Sequence, residues 1–97
     1  MDINEIKQIL KANKKSLSDK YGITRIGIFG SYTLNLQNEK SDIDIAIEMD
    51  KNKKNIHNFL AVKRFLEQQL GKNVDIGFEH SLKLSVKKSI ERNMIYV

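Results

Sequence analysis

Two aspartates, Asp42 and Asp44, lie one residue apart in the run SDIDIAIEM. Aspartate is a poor strand former, yet this run alternates isoleucines with its acidic residues as a strand would. At positions i and i+2 both carboxylates fall on one face, with Cα atoms about 7 Å apart. Side chains that far apart can converge on the same divalent cations, and without a cation they repel each other. A solvated strand face shows the same polar alternation, so D-x-D alone does not decide between the two. Gly30 and Ser31 follow the β-branched run ITRIGIF. Glycine lets an anion approach the backbone closely, and serine offers a hydroxyl and an amide. The pair therefore suits a phosphate, although Gly-Ser is also an ordinary turn. It is not a Walker A loop, since no G-K-[ST] follows. Asp75 is the third candidate, set between Val74 and Ile76 in the short apolar run VDIGF. It is either an exposed strand residue, a lysine partner, or, if its strand neighbours the D-x-D strand, a third carboxylate on one rim.

The rest of the composition narrows the chemistry. Cysteine is absent, which excludes disulfide scaffolds, thiolate zinc sites, iron–sulfur clusters and cysteine nucleophiles. The two histidines, His57 and His80, have no metal-ligand spacing; His57 is expected in solvent and His80 near a helix start. No serine has a His–Asp arrangement to activate it. Three oxygen donors without thiolate or clustered imidazole suit Mg²⁺ or Mn²⁺ rather than zinc.

These residues need elements to position them. Apolar residues at helical spacing predict a helix over 2–21, with Asp2 and Glu5 as a capping box and Gly22 as its stop. A strand follows over 23–29, then a short helix over 32–36 and a polar loop over 37–40. The D-x-D strand covers 41–49, with Ile43, Ile45, Ile47 and Met49 on the face opposite the aspartates. A second helix spans 55–70 and Gly71 closes it. A third strand covers 74–78, a third helix 81–93 with Leu82, Val86 and Ile90 on its apolar stripe, and a last short strand 94–97. The order describes an α/β (α+β) layer, a small mixed sheet of three to four strands with helices packed on one face. Its other face would be left for nucleotide or another chain.

With 97 residues the chain is expected to be a single domain, 1–97, without room for a separate acceptor-binding module. No apolar run approaches the roughly 20 residues of a membrane span, and the N-terminus does not resemble a signal peptide, so a cytoplasmic protein is expected. The net charge is +5, from 17 basic and 12 acidic residues. Arg25, Arg64 and Arg92 are the only arginines, and aromatics are 7%. Scattered lysines with few aromatics argue against direct nucleic-acid binding and for solvated helix faces. The charge favours a polyanionic partner such as a nucleoside triphosphate or an acidic protein surface.

Together, Gly30-Ser31, ten intervening residues, Asp42-x-Asp44 and a later Asp75 resemble the signature of the DNA polymerase beta-like nucleotidyltransferase superfamily. Size and spacing look most like the minimal nucleotidyltransferases (MNT proteins), which often pair with HEPN-type toxins. The resemblance runs from about residue 23 to 97. It implies the polymerase beta-like fold and transfer of AMP from ATP to a hydroxyl, with release of pyrophosphate. Asp42 and Asp44 would hold two Mg²⁺ ions (Mn²⁺ being an alternative). Asp75 would bind the catalytic ion and help activate the hydroxyl. Gly30 and Ser31 would cradle the β and γ phosphates. In toxin-linked members the acceptor looks to be a tyrosine of the HEPN partner, so the chain is expected to act as an antitoxin in a hetero-oligomer.

One departure stands out. Family members commonly continue G-S-x-A-R-G, and here the Arg and second Gly positions hold Leu34 and Asn35. Loss of that arginine would weaken charge stabilisation on the leaving group, with Lys40 the nearest cation in sequence to replace it. The alternative it supports is a protein of the same fold that binds nucleotide or partner without turnover and neutralises the partner by occlusion.

Overall fold

The computed structural model describes residues 1–82 and 93–97. Helix α1 (Ile3–Tyr21) starts where the sequence places it: the Asp2 carboxylate accepts the Glu5 N–H at 3.0 Å. Gly22 ends the helix by donating its N–H to the carbonyls of Leu17 and Ser18. Strand β1 (Ile23–Phe29) follows at once, then β2 (Ile43–Met49), α2 (Ile56–Leu70), β3 (Val74–Phe78) and β4 (Ile95–Tyr96). The Asn55 side chain caps α2 by accepting the Asn58 N–H, and Gly71 closes it.

The sheet order is β3-β2-β1-β4. β1 pairs antiparallel with β2 and β4, whereas β2 and β3 run parallel, joined by α2 as a crossover. Ile43, Ile45 and Ile47 are fully buried. They meet Ile6, Leu10 and Leu17 of α1 and Val62 and Leu66 of α2 in one core. Each such side chain contributes roughly 1.5–3 kcal/mol on burial.

The opposite face differs from the expectation of an open surface. The register aligns Gly77, Ala46 and Gly27 across the sheet, with Tyr96 beyond them. A Cβ on Gly27 would come within 2.6 Å of Met94 Sδ, and one on Gly77 within 3.3 Å of Leu82. Small residues there admit Leu82 and Met94, so the middle of this face is already filled. Past them, Glu79 is buried, paired with Arg25 at 3.4 Å and bonded by the Tyr96 hydroxyl, while the Arg25 guanidinium lies over the Tyr96 ring. Only the end of the face carrying Asp44 and Asp75 stays uncovered by these residues.

Two expected helices change. Residues 31–35 form turns rather than a helix over 32–36, because Asn35 adopts left-handed backbone (φ 56°) before a second turn can form. The helix expected over 81–93 begins earlier, with 79–82 helical; its later positions, Val86 and Ile90 among them, lie outside the described residues. Among the described residues no helix is long and apolar enough to cross a membrane.

Candidate functional site

The C-terminal end of β1 and the N-terminal ends of β2 and β3 meet at one end of the sheet. This follows from an antiparallel β1–β2 pair beside a parallel β2–β3 pair. Asp44 therefore stands opposite Phe29 on one side and opposite Asp75 on the other. Two carboxylates directly opposed on neighbouring strands lie about 5 Å apart at Cβ. Asp42 precedes β2 and is exposed, as is Asp75, whereas Asp44 is half-buried.

Burial first, then the charges of Asp75 and Asp42, push the Asp44 carboxyl up from 3.8 to about 6. The lysine partner expected as one alternative for Asp75 is absent among the described residues, and Asp75 is exposed. Ion pairs among the described residues join Arg25 to Glu79, Lys63 to Glu67 and His80 to Glu48, and none involves these three aspartates. In a chain of net charge +5, these three acidic groups gather at one sheet end without an ion-pair partner among the described residues.

Gly30 completes the site from β1. Its φ is +81°, and a Cβ built on it would lie 2.0 Å from Asp44 Oδ2. Only glycine allows the chain to turn this closely around the carboxylate. The turn that follows is anchored by buried Tyr32. It is closed by Thr33 N–H and Oγ1 on the Gly30 carbonyl (3.1 and 2.7 Å) and by Leu34 and Leu36 N–H on the Ser31 carbonyl (3.2 and 2.9 Å). The Leu36-to-Ser31 bond with Asn35 left-handed is the Schellman arrangement. So the residue that replaces the second glycine adopts the backbone a glycine would supply, which asparagine tolerates better than most. Leu34, at the arginine position, is half-exposed. Lys40 is exposed and lines a cleft with Ser41, Asp42 and Lys72.

All three carboxylates and Gly30-Ser31 thus come to one end of the sheet. The side chains do not already enclose an ion: among the described residues no three acidic or imidazole groups form a ready metal-binding cluster. The donor chemistry nevertheless fits a hard cation, with oxygen ligands only, mutual repulsion at Asp44, and no ion pair to these aspartates among the described residues. His80 has no place here; its N–H and Nδ1 bond the Glu48 carboxylate at 3.0–3.1 Å. His57 is exposed near the start of α2. Sequence reasoning missed two features. One is the cleft between α2 and β3, lined by Phe59, Leu60 and Ile76 and reaching Asp42 and Asp75. The other is the Arg25–Glu79–Tyr96 cluster. Neither leaves a periodic signal, since both depend on which strand lies at the edge.

A glycine turn stands against an acidic strand pair on a mixed sheet backed by two helices, an arrangement that suits a divalent cation beside a phosphate. The comparisons agree. The nucleotidyltransferase domain model matches residues 5–97. A candidate protein adenylyltransferase of Methanocaldococcus jannaschii, MJ1379, is 44% identical over 97 residues, covering 98% of this chain and 97% of the relative. The protein adenylyltransferase MntA of Thermococcus cleftensis is 35% identical over 97 residues, covering 100% and 97%. A solved structure of a candidate minimal nucleotidyltransferase superposes with a TM-score of 0.79 at 27% identity, covering 98% of this chain and 95% of that one. A toxin–antitoxin crystal structure with AMP-PNP matches in fold, with a TM-score of 0.68 at 22% identity over 99% of this chain and 72% of that one. The chain belongs to the nucleotidyltransferase domain family, as a minimal nucleotidyltransferase.

Proposed function

We propose that this enzyme transfers AMP from ATP to a hydroxyl of a partner protein, a tyrosine of a HEPN-type toxin, and so acts as its antitoxin. The observation that carries this is the facing of Asp44 and Asp75 across the parallel pair, with Gly30 turned against Asp44. The names of the relatives, protein adenylyltransferases with a toxin–antitoxin complex among the fold neighbours, supply the acceptor class.

Asp44 would hold a divalent cation, with Asp42 and Asp75 on either side. Two Mg²⁺ ions held by these carboxylates would supply charge neutralisation for the triphosphate. Gly30 and Ser31 offer backbone amides and a hydroxyl to the β and γ phosphates. The acceptor oxygen attacks the α phosphorus. The bond from that phosphorus to the bridging oxygen breaks and pyrophosphate leaves. The hydroxyl proton passes to the Asp75 carboxylate, which is exposed and can hand it to water. With no arginine at Leu34, the leaving group loses one charge partner, and Lys40 is the cation nearest in sequence to Asp42.

A second reading, occlusion without turnover, draws on the same Leu34 and on the ungathered carboxylates. One experiment separates the two. A HEPN-type toxin is incubated with the enzyme, Mg²⁺ and ATP, and its tyrosines are examined by mass spectrometry. An adenylyl increment that disappears in Asp44→Asn is expected. An unmodified toxin that is nonetheless neutralised by Asp42→Asn/Asp44→Asn refutes transfer and favours occlusion.

A further inference from the structure

Among the described residues β3 is an edge strand, and its outer side opens on the cleft that leads to Asp75. The Asn73 carbonyl accepts from Ile43 of β2 at 3.0 Å, whereas the Val74 N–H turns the other way and donates to Glu67 Oε2 at 3.0 Å. Amide and carbonyl of one strand residue point to the same side, and successive residues alternate. Asp75 and Gly77 therefore pair with β2, and Ile76 and Phe78 direct their main-chain groups outward. The outward Ile76 N–H thus lies off the β2 ladder, on the outer edge of the described sheet. Edge groups of this kind are a template for another strand. The wall facing them, from α2, carries Phe59 and Leu60 with the ion-paired Lys63 and Glu67 beside them, and Leu60 and the neighbouring Ile56 are exposed at 42% and 71%. At the far end Lys54 lies 4.6 Å from the Phe78 ring centroid.

We infer that the acceptor segment of the partner protein docks as an added strand on the outer edge of β3. Its main chain bonds Ile76 and Phe78, and its apolar side chains rest on Phe59 and Leu60. An acidic residue meets Lys54, and a hydroxyl side chain reaches Asp75. A flexible loop presented in this way needs no second domain to hold it. The inference rests on the transfer reading only for the hydroxyl; docking itself is independent of nucleotide and metal.

The probe is a capped heptapeptide of alternating Val and Thr, with a central Tyr and a terminal Asp, added to the ¹⁵N-labelled full chain without ATP. Backbone shifts and slowed exchange at Ile76 and Phe78 are expected. Two N-methylated versions block alternate edges of the peptide. One should bind like the parent and the other at least tenfold more weakly, because only one edge can face β3. Leu60→Glu should weaken binding at least tenfold and leave the affinity for ATP unchanged. Absence of binding, equal binding of both methylated forms, or shifts confined elsewhere would overturn the inference. ATP and Mg²⁺ are then added. Docking without adenylylation refutes the transfer reading and leaves the edge site standing; adenylylation without protection of Ile76 does the reverse.

Discussion

Replacing Asp44 by Asn should stabilise the metal-free protein while destroying its response to nucleotide. In the folded state the carboxyl sits at about 6 against an ordinary 3.8. A raised folded value means that the native state holds its proton more tightly than the unfolded chain. This group's contribution is therefore fully present below about pH 4 and is lost as pH rises through about 6. The whole gap corresponds to about 3 kcal/mol, and because Asp44 is half-exposed, solvent screening reduces this to about 1–2 kcal/mol. At pH 7.5 the Asn variant escapes that penalty and should melt roughly 5 °C or more above wild type. At pH 4.5 the difference should shrink towards zero. Adding Mg²⁺ and ATP should raise the wild-type Tm and leave the variant unmoved, since ligand bound only to the native state stabilises it by mass action. EDTA should return wild type to its metal-free value. Melting curves from pH 4.5 to 8, with and without Mg²⁺-ATP, read all of this. A variant that is less stable than wild type at pH 7.5, or that keeps the wild-type pH slope, would refute the argument that Asp44 is held there at a cost.

Gly30→Ala should cost about 1–3 kcal/mol in urea denaturation, from left-handed strain and displacement of the Asp44 carboxylate, and should lower transfer more than stability explains. Asn35→Gly should be within about 0.5 kcal/mol of wild type and Asn35→Val should lose about 1–2 kcal/mol, because only the latter resists φ near 56°. Arg25→Ala should destabilise by about 1–3 kcal/mol by removing the ion pair to buried Glu79 and the cation over the Tyr96 ring, and Tyr96→Phe should lose about 1 kcal/mol for its hydroxyl bond, both without altering ATP affinity. Asp75→Asn should keep the Mg²⁺-ATP thermal shift and lose adenylyl transfer, which mass spectrometry of the acceptor reports.

What could be read from the sequence was whatever repeats at a fixed local period or caps an element. The alternation of Ile43, Ile45 and Ile47 against Asp42 and Asp44 placed the aspartates on the face away from the helices. Asp2, Gly22 and Gly71 marked the ends of the two long helices. The short helix over 32–36 failed because its deciding term is one dihedral at Asn35, and asparagine is equally at home inside a polar loop. The filled face was illegible for a different reason. That Met94 settles onto Gly27 follows from close approach of segments distant in sequence, that Leu82 folds back onto Gly77 follows from where the chain turns after β3, and a glycine in a strand signals only that something comes near. Pairing of Asp75 with Asp44 was conditional on strand order, which local patterns do not contain.

The departure from G-S-x-A-R-G then divides into two parts with different physical weight. The second glycine is a backbone requirement, and Asn35 meets it: the closure of Leu36 N–H onto the Ser31 carbonyl is intact, so the turn that carries Ser31 keeps its backbone beside Gly30. The arginine is a charge requirement, and Leu34 does not meet it. A site altered in this way keeps its geometry and loses part of its electrostatic drive. Restoring the charge without touching the turn isolates that part. Leu34→Arg should leave Tm within about 1–2 °C, since Leu34 is half-exposed and makes no core contact. It should raise the transfer rate about tenfold or more, as one well-placed cation on a leaving phosphate does. If the rate stays unchanged while ATP still binds, charge on the leaving group is already balanced from elsewhere in the site, and Lys40→Ala should then abolish what Leu34→Arg could not improve.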